Sequence, residues 1–230
     1  MSTTDVDLSD FAIFDTNAVQ IDPIFEDWKF AGKSRPYNAA ETQNRLQQLA
    51  TVPRMSTWTI AALFNHAVSC LDNNLCYVNI GVWHGFSFLA GLVGNPGKRC
   101  IGVDNFSQLG GPAEEFLQRF RDMKGPAHTF FEMDYEQYLT TVHKTPIGLY
   151  FYDGHHSYEH QFKGLQLAES YFADGCLIIV DDTNTEPVRR ATKAFVKQSH
   201  HTYQTILDQT TTIYPDPTYW NGIMVLRKTV

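Results

Sequence analysis

The chain has no run approaching the ~18 apolar residues that a membrane-spanning helix needs. It also has no internal repeat and no low-complexity tract. Hydrophobic residues make up 43% of the 230 residues, which argues against global disorder. The first residues, MSTTDVDLSD, lack a basic segment followed by an apolar one, so they do not look like a signal peptide. We therefore expect a cytoplasmic protein.

Positive charge is scarce as well. The chain has 18 Lys and Arg residues against 25 Asp and Glu residues, which gives a net charge of −7. A chain with this balance has no broad electrostatic attraction for nucleic acid or for an anionic membrane. We therefore expect neither of them as a partner.

Cysteine is rare, and no two cysteines form a CxxC pair. Three of the four, Cys76, Cys100 and Cys176, each stand at the start of an apolar run that is typical of a strand. This pattern favours buried, reduced thiols over a disulfide framework or a thiolate metal site.

From residue 39 onward, helical and strand patterns alternate. Helices are predicted before the first strand, and residues 1–38 are expected to form an irregular arm ahead of one domain over residues 39–230. The predicted strands are 76–80, 99–103, 129–133, 147–152 and 176–180, with two β-rich runs at 203–207 and 223–226. A long helix over 157–172 is expected to stop at Asp174-Gly175, since glycine suits a helix end. Such alternation predicts an α/β, Rossmann-like, doubly wound and mostly parallel sheet, with the last two runs pairing antiparallel at an edge.

Acidic residues gather where the predicted strands end. In sheets of this class, ligands bind outside the carboxyl ends of the strands. The residues at or just past those ends are Gly81, Asp104, Asp134, Asp153, Asp181 and Asp182. This edge is therefore where we expect the functional site.

A glycine turn follows the first strand, at Gly81 to Gly85. Its spacing is GxxxG and not the dinucleotide fingerprint GxGxxG, so by itself it is compatible with a plain strand–helix turn. Asp104 lies 23 positions after Gly81, at the end of the next strand. An acid at about that distance accepts hydrogen bonds from ribose hydroxyls. Together the two features indicate a cofactor that contains a nucleoside.

A second group of acids follows the fourth and fifth strands. Asp153 and the pair Asp181-Asp182 should converge. Three carboxylates repel one another unless a cation such as magnesium, manganese or calcium binds between them. The alternative is that these residues cap a helix and a turn. His156 has three readings: a zinc ligand with His160, a solvated loop residue, or a general base.

Four segments resemble a known family. VNIGVWHGFS, IGVDNFS, LYFYDGHHSYE and LIIVDDTN are similar to segments of the class I S-adenosylmethionine-dependent methyltransferases. The nearest branch is the macrocin O-methyltransferase and cephalosporin-hydroxylase-like group, together with a related family that carries a DGxHSYE segment. The resemblance covers about residues 75–185.

The resemblance implies a seven-stranded sheet with an antiparallel C-terminal hairpin, and it assigns roles to individual residues. Asn79 stands where the family usually has an acid that contacts the cofactor's amino group. Further cofactor-binding residues would be Gly81, Trp83, Gly85 and Ser87 at the methionine end, Asp104 at the ribose and Asp134 near the adenine. Asp153, Asp181 and Asp182 would hold magnesium, and His156, with Asp153, would be catalytic.

The expected activity is divalent-metal-assisted O-methylation of a small-molecule hydroxyl, on a sugar, a polyketide or a similar compound. The alternatives are a metal-dependent hydrolase or hydroxylase-like enzyme and a non-catalytic nucleoside-binding protein. Aromatic residues near both ends of the chain are candidates for the acceptor pocket. They are Trp28, Phe30, Tyr37, Trp58, Tyr214, Tyr219 and Trp220. The alternative is that they fill the core or form a homo-oligomer contact.

Overall fold

A computed structural model describes residues 38–229 of the chain. The predicted arm over residues 1–38 therefore lies outside the described residues, apart from Asn38. The side chain of Asn38 accepts a hydrogen bond from the backbone N–H of Glu41 and so caps the first described helix.

Seven strands form one sheet. They are β1 (Cys76–Ile80), β2 (Arg99–Asp104), β3 (His128–Glu132), β4 (Ile147–Tyr152), β5 (Phe172–Val180), β6 (Thr202–Gln209) and β7 (Ile223–Thr229). Their order across the sheet is β3-β2-β1-β4-β5-β7-β6. The first five strands are parallel, and β7 pairs antiparallel with both β5 and β6. The predicted Rossmann-like, doubly wound sheet with an antiparallel edge hairpin is confirmed.

Helices connect the strands. They are α1 (Ala39–Leu46), α2 (Trp58–Cys70), α3 (Phe86–Leu92), α4 (Ala113–Met123), α5 (Tyr135–Gln137), α6 (Tyr158–Ala168) and α7 (Glu186–Gln198). Short 3-10 segments follow α1 and α6, and a π-helical turn (Tyr138–Val142) continues α5. No helix within residues 38–229 is long and apolar enough to cross a lipid bilayer.

Two hydrophobic cores lie on opposite faces of the sheet, because successive strand residues point in opposite directions. On β4, Leu149 and Phe151 pack into the core with α2 and α3. Tyr150 and Tyr152 pack into the core with α6 and α7. All six residues of β4 are buried, as expected for a central parallel strand that is covered on both faces. The four cysteines are buried and not disulfide-bonded, as predicted.

The predicted helix stop at Asp174-Gly175 is wrong. Helix α6 ends at Ala168, and β5 has already begun at Phe172. Gly175 does adopt the left-handed conformation, with φ of 77°, but it does so inside the strand. The β4–β5 register shifts at this point, from Ile147 opposite Phe172 to Leu149 opposite Leu177. The glycine therefore lies at an irregularity in the strand. A left-handed glycine occurs both at helix ends and at strand bulges, so it does not by itself distinguish them.

His66 is a buried titratable side chain on α2. All thirteen residues of α2 are buried, and only 5% of His66 is exposed. Burial lowers the pKa of His66 to about 4, from an ordinary value of 6.5. As the pH falls, His66 therefore takes up a proton at a higher pH in the unfolded chain than in the folded chain. The contribution of neutral His66 to stability is complete above pH 6.5 and is lost as the pH falls towards 4.

We predict that His66→Gln removes part of the acid sensitivity of the fold. The free energy of unfolding of the native chain should fall relative to the variant by about 1.4 kcal/mol per pH unit between pH 6.5 and 4. Urea unfolding at several pH values measures this difference. His200→Gln, at an exposed position, is the matched control. Parallel curves for the native chain and His66→Gln would show that His66 does not contribute.

Candidate active site

A cavity of about 430 Å³ opens at the carboxyl edge of the central strands. Its floor comes from the ends of β1, β2, β4 and β5, at Gly81, Asp104, Asp153 and Asp181. Its walls come from the segment before α2, the loop after β2 and the loop before β7. The volume lies in the range of roughly 300–1,000 Å³ that is typical of small-molecule sites.

Backbone strain is concentrated at this cavity. Within residues 38–229, five residues other than glycine have positive φ angles between 47° and 54°. All five line the cavity: Trp83, Phe106, Leu109, Asp182 and Trp220. Left-handed backbone is costly for residues with a β-carbon, and such residues cluster at functional sites. The strain therefore identifies this cavity as the candidate site without reference to any motif.

The Asp104 carboxylate joins the two loops that form one side of the cavity. Its Oδ2 atom accepts hydrogen bonds from the backbone N–H groups of Val82, at 2.8 Å, and Trp83, at 2.9 Å. Its Oδ1 atom accepts from the backbone N–H of Phe106, at 2.7 Å. An ionised carboxylate has about four acceptor positions. Asp104 thus holds the glycine turn against the loop after β2 and keeps capacity for one further donor.

Gly81 lets the ends of β1 and β4 come very close together. A β-carbon at Gly81 would lie 2.0 Å from the backbone oxygen of Asp153 and 2.7 Å from its carbonyl carbon. The φ angle of Gly81 is also positive, at 79°. Only glycine satisfies both conditions. The close approach places the glycine turn directly beside the acids that follow β4.

His156 lies between two of the predicted metal-binding acids. Its Nε2 atom is 3.4 Å from Oδ1 of Asp153, and its Nδ1 atom is 3.2 Å from Oδ2 of Asp182. Nε2 is buried and the Asp153 contact lacks hydrogen-bond geometry. Burial alone would lower the pKa of His156, but the contacts with Asp153 and Asp182 outweigh it and raise this pKa. The ring therefore sits as a proton-binding group between two carboxylates.

The acids themselves raise one another's pKa values. Burial, followed by the nearby carboxylates of Asp182 and Asp104, raises the pKa of Asp153 against the opposing effect of His156. Burial, followed by Asp153 and Asp182, raises the pKa of Asp181 well above its ordinary value. Like charges that share a site behave in this way, and a bound cation relieves them.

The side chains do not form a ready metal site. Within the part of the chain that the structure describes, no group of three or more His, Cys, Asp or Glu side chains is placed to hold a metal ion. The oxygen-rich chemistry and the charge of Asp153, Asp181 and Asp182 suit a hard divalent cation. Their present orientation does not, because His156 lies between Asp153 and Asp182.

Most of the predicted site residues meet at the cavity. Gly81, Trp83, Ser87, Asp104, Asp134, Asp153, His156, Asp181 and Asp182 all line it. Asn79 and Gly85 are not among the lining residues. Asn79 is fully buried, accepts a hydrogen bond from the Tyr77 hydroxyl and donates to the carbonyl of Gly81. Gly85 lies at the start of α3 against Phe116.

His156 and His160 do not point to one ligand, although both line the cavity. His160 is 3.1 Å from the hydroxyl of Tyr135, whereas His156 contacts Asp153 and Asp182. His155 accepts a hydrogen bond from the backbone N–H of Ser157. The structure thus gives each of the three histidines different partners.

Several cavity residues are not among the site residues that the sequence predicted individually. They are Arg54, Met55, Ser56, Asn105, Phe106 and Leu109. The predicted acceptor aromatics divide: Tyr214 and Trp220 line the cavity, while Trp58 is buried against Phe86. Trp28, Phe30 and Tyr37 lie outside the described residues. The sequence feature that could have indicated Leu109 is the long Gly- and Ser-containing loop directly after Asp104, at the edge of the sheet where ligands bind.

Comparison with known proteins agrees with this geometry. Residues 78–183 match a methyltransferase domain. The matching segment is slightly less than half of the chain and holds the Asp104, Asp153, His156 and Asp182 positions. No curated protein matches the chain by sequence.

Several solved structures share the fold of this chain. Cofactor-bound Rv0187 from MTB is 15% identical, with a TM-score of 0.59, and the alignment covers 88% of this chain and 94% of that one. The O-methyltransferase from Bacillus cereus in complex with SAH is 13% identical, with a TM-score of 0.51 and coverages of 84% and 92%. A TDP-rhamnose 3′-O-methyltransferase of calicheamicin biosynthesis is 19% identical, with a TM-score of 0.50 and coverages of 84% and 95%. At such identities these likenesses show the fold alone.

We predict that Gly81→Ala destabilises the protein more than Gly175→Ala does. The two glycines have nearly equal φ angles, 79° and 77°, but nothing lies within 4 Å of a β-carbon at Gly175. Both variants should lose about 1–2 kcal/mol for left-handed backbone. Gly81→Ala should lose about 1–3 kcal/mol more for the contact with Asp153. Urea unfolding measures both, and equal losses would contradict the steric role of Gly81.

Proposed function

We propose that the chain is an S-adenosylmethionine-dependent O-methyltransferase that acts on a small-molecule hydroxyl. The observation that carries the proposal is that one cavity joins the Gly81 turn and Asp104 to His156 and its two carboxylates. A nucleoside-binding edge and a proton acceptor thus face the same space. The match of residues 78–183 to a methyltransferase domain supports this function.

The cofactor side of the cavity suits the proposed donor in chemistry and charge. Asp104 retains acceptor capacity for a ribose hydroxyl after binding three backbone N–H groups. The five aspartates that line the cavity suit a ligand with positive charge. S-adenosylmethionine, when bound, supplies a methyl group that is already activated on a sulfonium. The protein therefore has to align the acceptor oxygen and accept its proton.

His156 is the residue that we assign to the proton. In the neutral ring, one nitrogen carries the ring's own proton and the other keeps a lone pair. The acceptor hydroxyl would give its proton to that lone pair. Asp153 and Asp182 would then stabilise the imidazolium that forms. In this assignment both acids orient the base and neutralise its charge.

Metal assistance is a separate part of the proposal. Asp153, Asp181 and Asp182 would hold a magnesium ion, which supplies charge that lowers the pKa of the acceptor hydroxyl. Burial and neighbouring carboxylates raise the pKa values of Asp153 and Asp181, and a cation there would relieve the crowding of negative charge. The absence of a ready group of three ligands within residues 38–229 means that these side chains would have to turn towards the ion.

We predict that the full chain binds S-adenosylhomocysteine in a calorimeter and transfers labelled methyl groups to hydroxyl compounds in a cell extract. Binding without transfer would indicate a nucleoside-binding protein instead. Binding of magnesium without S-adenosylhomocysteine would favour another class of metal-dependent enzyme. Chelator-treated protein that keeps full methyl transfer would remove the metal from the proposal and leave the rest in place.

We predict that His156→Gln lowers the rate of methyl transfer by about 10²–10⁴-fold. Glutamine can still donate to the neighbouring carboxylates but cannot accept the proton. S-adenosylhomocysteine affinity should change little, because the donor lies on the Asp104 side. His155→Gln is the matched control, since His155 precedes His156 directly and its ring instead accepts a hydrogen bond from the backbone N–H of Ser157. A His156→Gln enzyme with native turnover would show that another group takes the proton.

A further inference from the structure

The cavity has the volume of a site for one small molecule, whereas the proposed function needs two reactants. Its volume of about 430 Å³ lies near the lower end of the range of roughly 300–1,000 Å³ that is typical of such sites. A donor on the Asp104 side would take up much of this space. The body of the acceptor would then rest on the mouth of the cavity.

The mouth carries several exposed apolar side chains. Four large hydrophobic side chains are exposed within residues 38–229: Met55 (41%), Leu109 (65%), Ile213 (59%) and Tyr214 (67%). Three of them, Met55, Leu109 and Tyr214, line this cavity. Trp220 stands beside Tyr214, with ring centroids 5.8 Å apart. We name Met55, Leu109, Tyr214 and Trp220 the apolar rim. Exposed apolar side chains gathered at one opening mark a binding surface.

The rim is held in place by hydrogen bonds that come from the site itself. The indole Nε1 of Trp83 donates to the carbonyl of Leu109, at 3.1 Å. The carboxylate of Asp216 accepts from the backbone N–H groups of Thr218 and Tyr219, both at 2.8 Å, in the turn that leads to Trp220. The rim is therefore organised before a ligand arrives, which reduces the entropy lost on binding.

The charge of the cavity as its side chains supply it disfavours one class of acceptor, compounds that carry a diphosphate. Five aspartates line it, and Arg54 is the one Lys or Arg among the lining residues of the described chain. Arg54 lies over the rings of Trp58 and Phe86, at 4.7 and 5.4 Å. A diphosphate is recognised by several Arg or Lys side chains or by helix N-termini. A sugar nucleotide would thus bring negative charge to a cavity that is already acidic.

We infer that the acceptor is a neutral, ring-bearing hydroxyl compound whose apolar body lies on the rim formed by Met55, Leu109, Tyr214 and Trp220. Its hydroxyl reaches inward to His156, because the floor of the cavity is polar. This inference rests on the proposed function and narrows its substrate class. The acceptor differs in chemistry from the TDP-sugar that one structural relative is named for.

Calorimetry on the full chain saturated with S-adenosylhomocysteine tests the inference. The probes are 2,3-dihydroxynaphthalene, a neutral two-ring hydroxyl compound, and TDP-rhamnose. Leu109→Ser and Tyr214→Ser should each weaken naphthalenediol binding by about tenfold, since each removes a large apolar contact. Ile213→Ser is the matched control, because Ile213 is similarly exposed but does not line the cavity. All three positions are exposed, and thermal unfolding checks that each variant folds.

Tighter binding of the naphthalenediol than of TDP-rhamnose, with losses confined to Leu109→Ser and Tyr214→Ser, supports the inference. Tighter binding of TDP-rhamnose overturns it, as does no naphthalenediol binding or an equal loss in Ile213→Ser. Binding of S-adenosylhomocysteine is measured first, and its absence would contradict the proposed function and not the inference about the rim. The same titrations on the unloaded chain then test the rim independently.

Discussion

The Asp104 carboxylate is the interaction on which the rest of the site depends. The loops after β1 and β2 belong to separate strand–helix units, and nothing in either unit alone determines their spacing. Three backbone N–H groups from the two loops bind this one carboxylate. These hydrogen bonds fix one side of the cavity, and through Trp83 the connection extends to Leu109 at the mouth. One half-buried carboxylate thus positions floor and rim together.

Charge and strain are both concentrated at this edge, and the two have a common cause. The carboxyl ends of parallel strands bring several acids to one edge, where burial and the neighbouring carboxylates raise the pKa values of Asp153 and Asp181. Placing His156 between Asp153 and Asp182 offsets part of that repulsion. The sharp turns that aim these groups inward require left-handed backbone at non-glycine residues, including Asp182. Such a site costs stability, which the two hydrophobic cores elsewhere supply.

Much of the fold could be predicted because the central strands are read directly from continuous apolar runs. The bounds of β4 agree to the residue, and Asp104 and Asp153 lie at strand ends as expected. Gly175 shows the limit: a left-handed glycine indicates a break but not whether a helix or a strand is broken. Asn79 shows another, since nothing local reveals that its amide binds Tyr77 and Gly81 instead of facing the cavity.

The pattern of residues along the chain is enough to show which glycine, acids and histidine stand at the carboxyl ends of strands, and hence at one edge of a sheet. Hydrophobic periodicity is a local property, so it is legible along the chain. Only the tertiary structure decided that His156 lies between Asp153 and Asp182 while His160 contacts Tyr135. It alone brought Met55, Leu109 and Tyr214 to one opening. Contacts between distant loops depend on packing in three dimensions, which no spacing along the chain encodes.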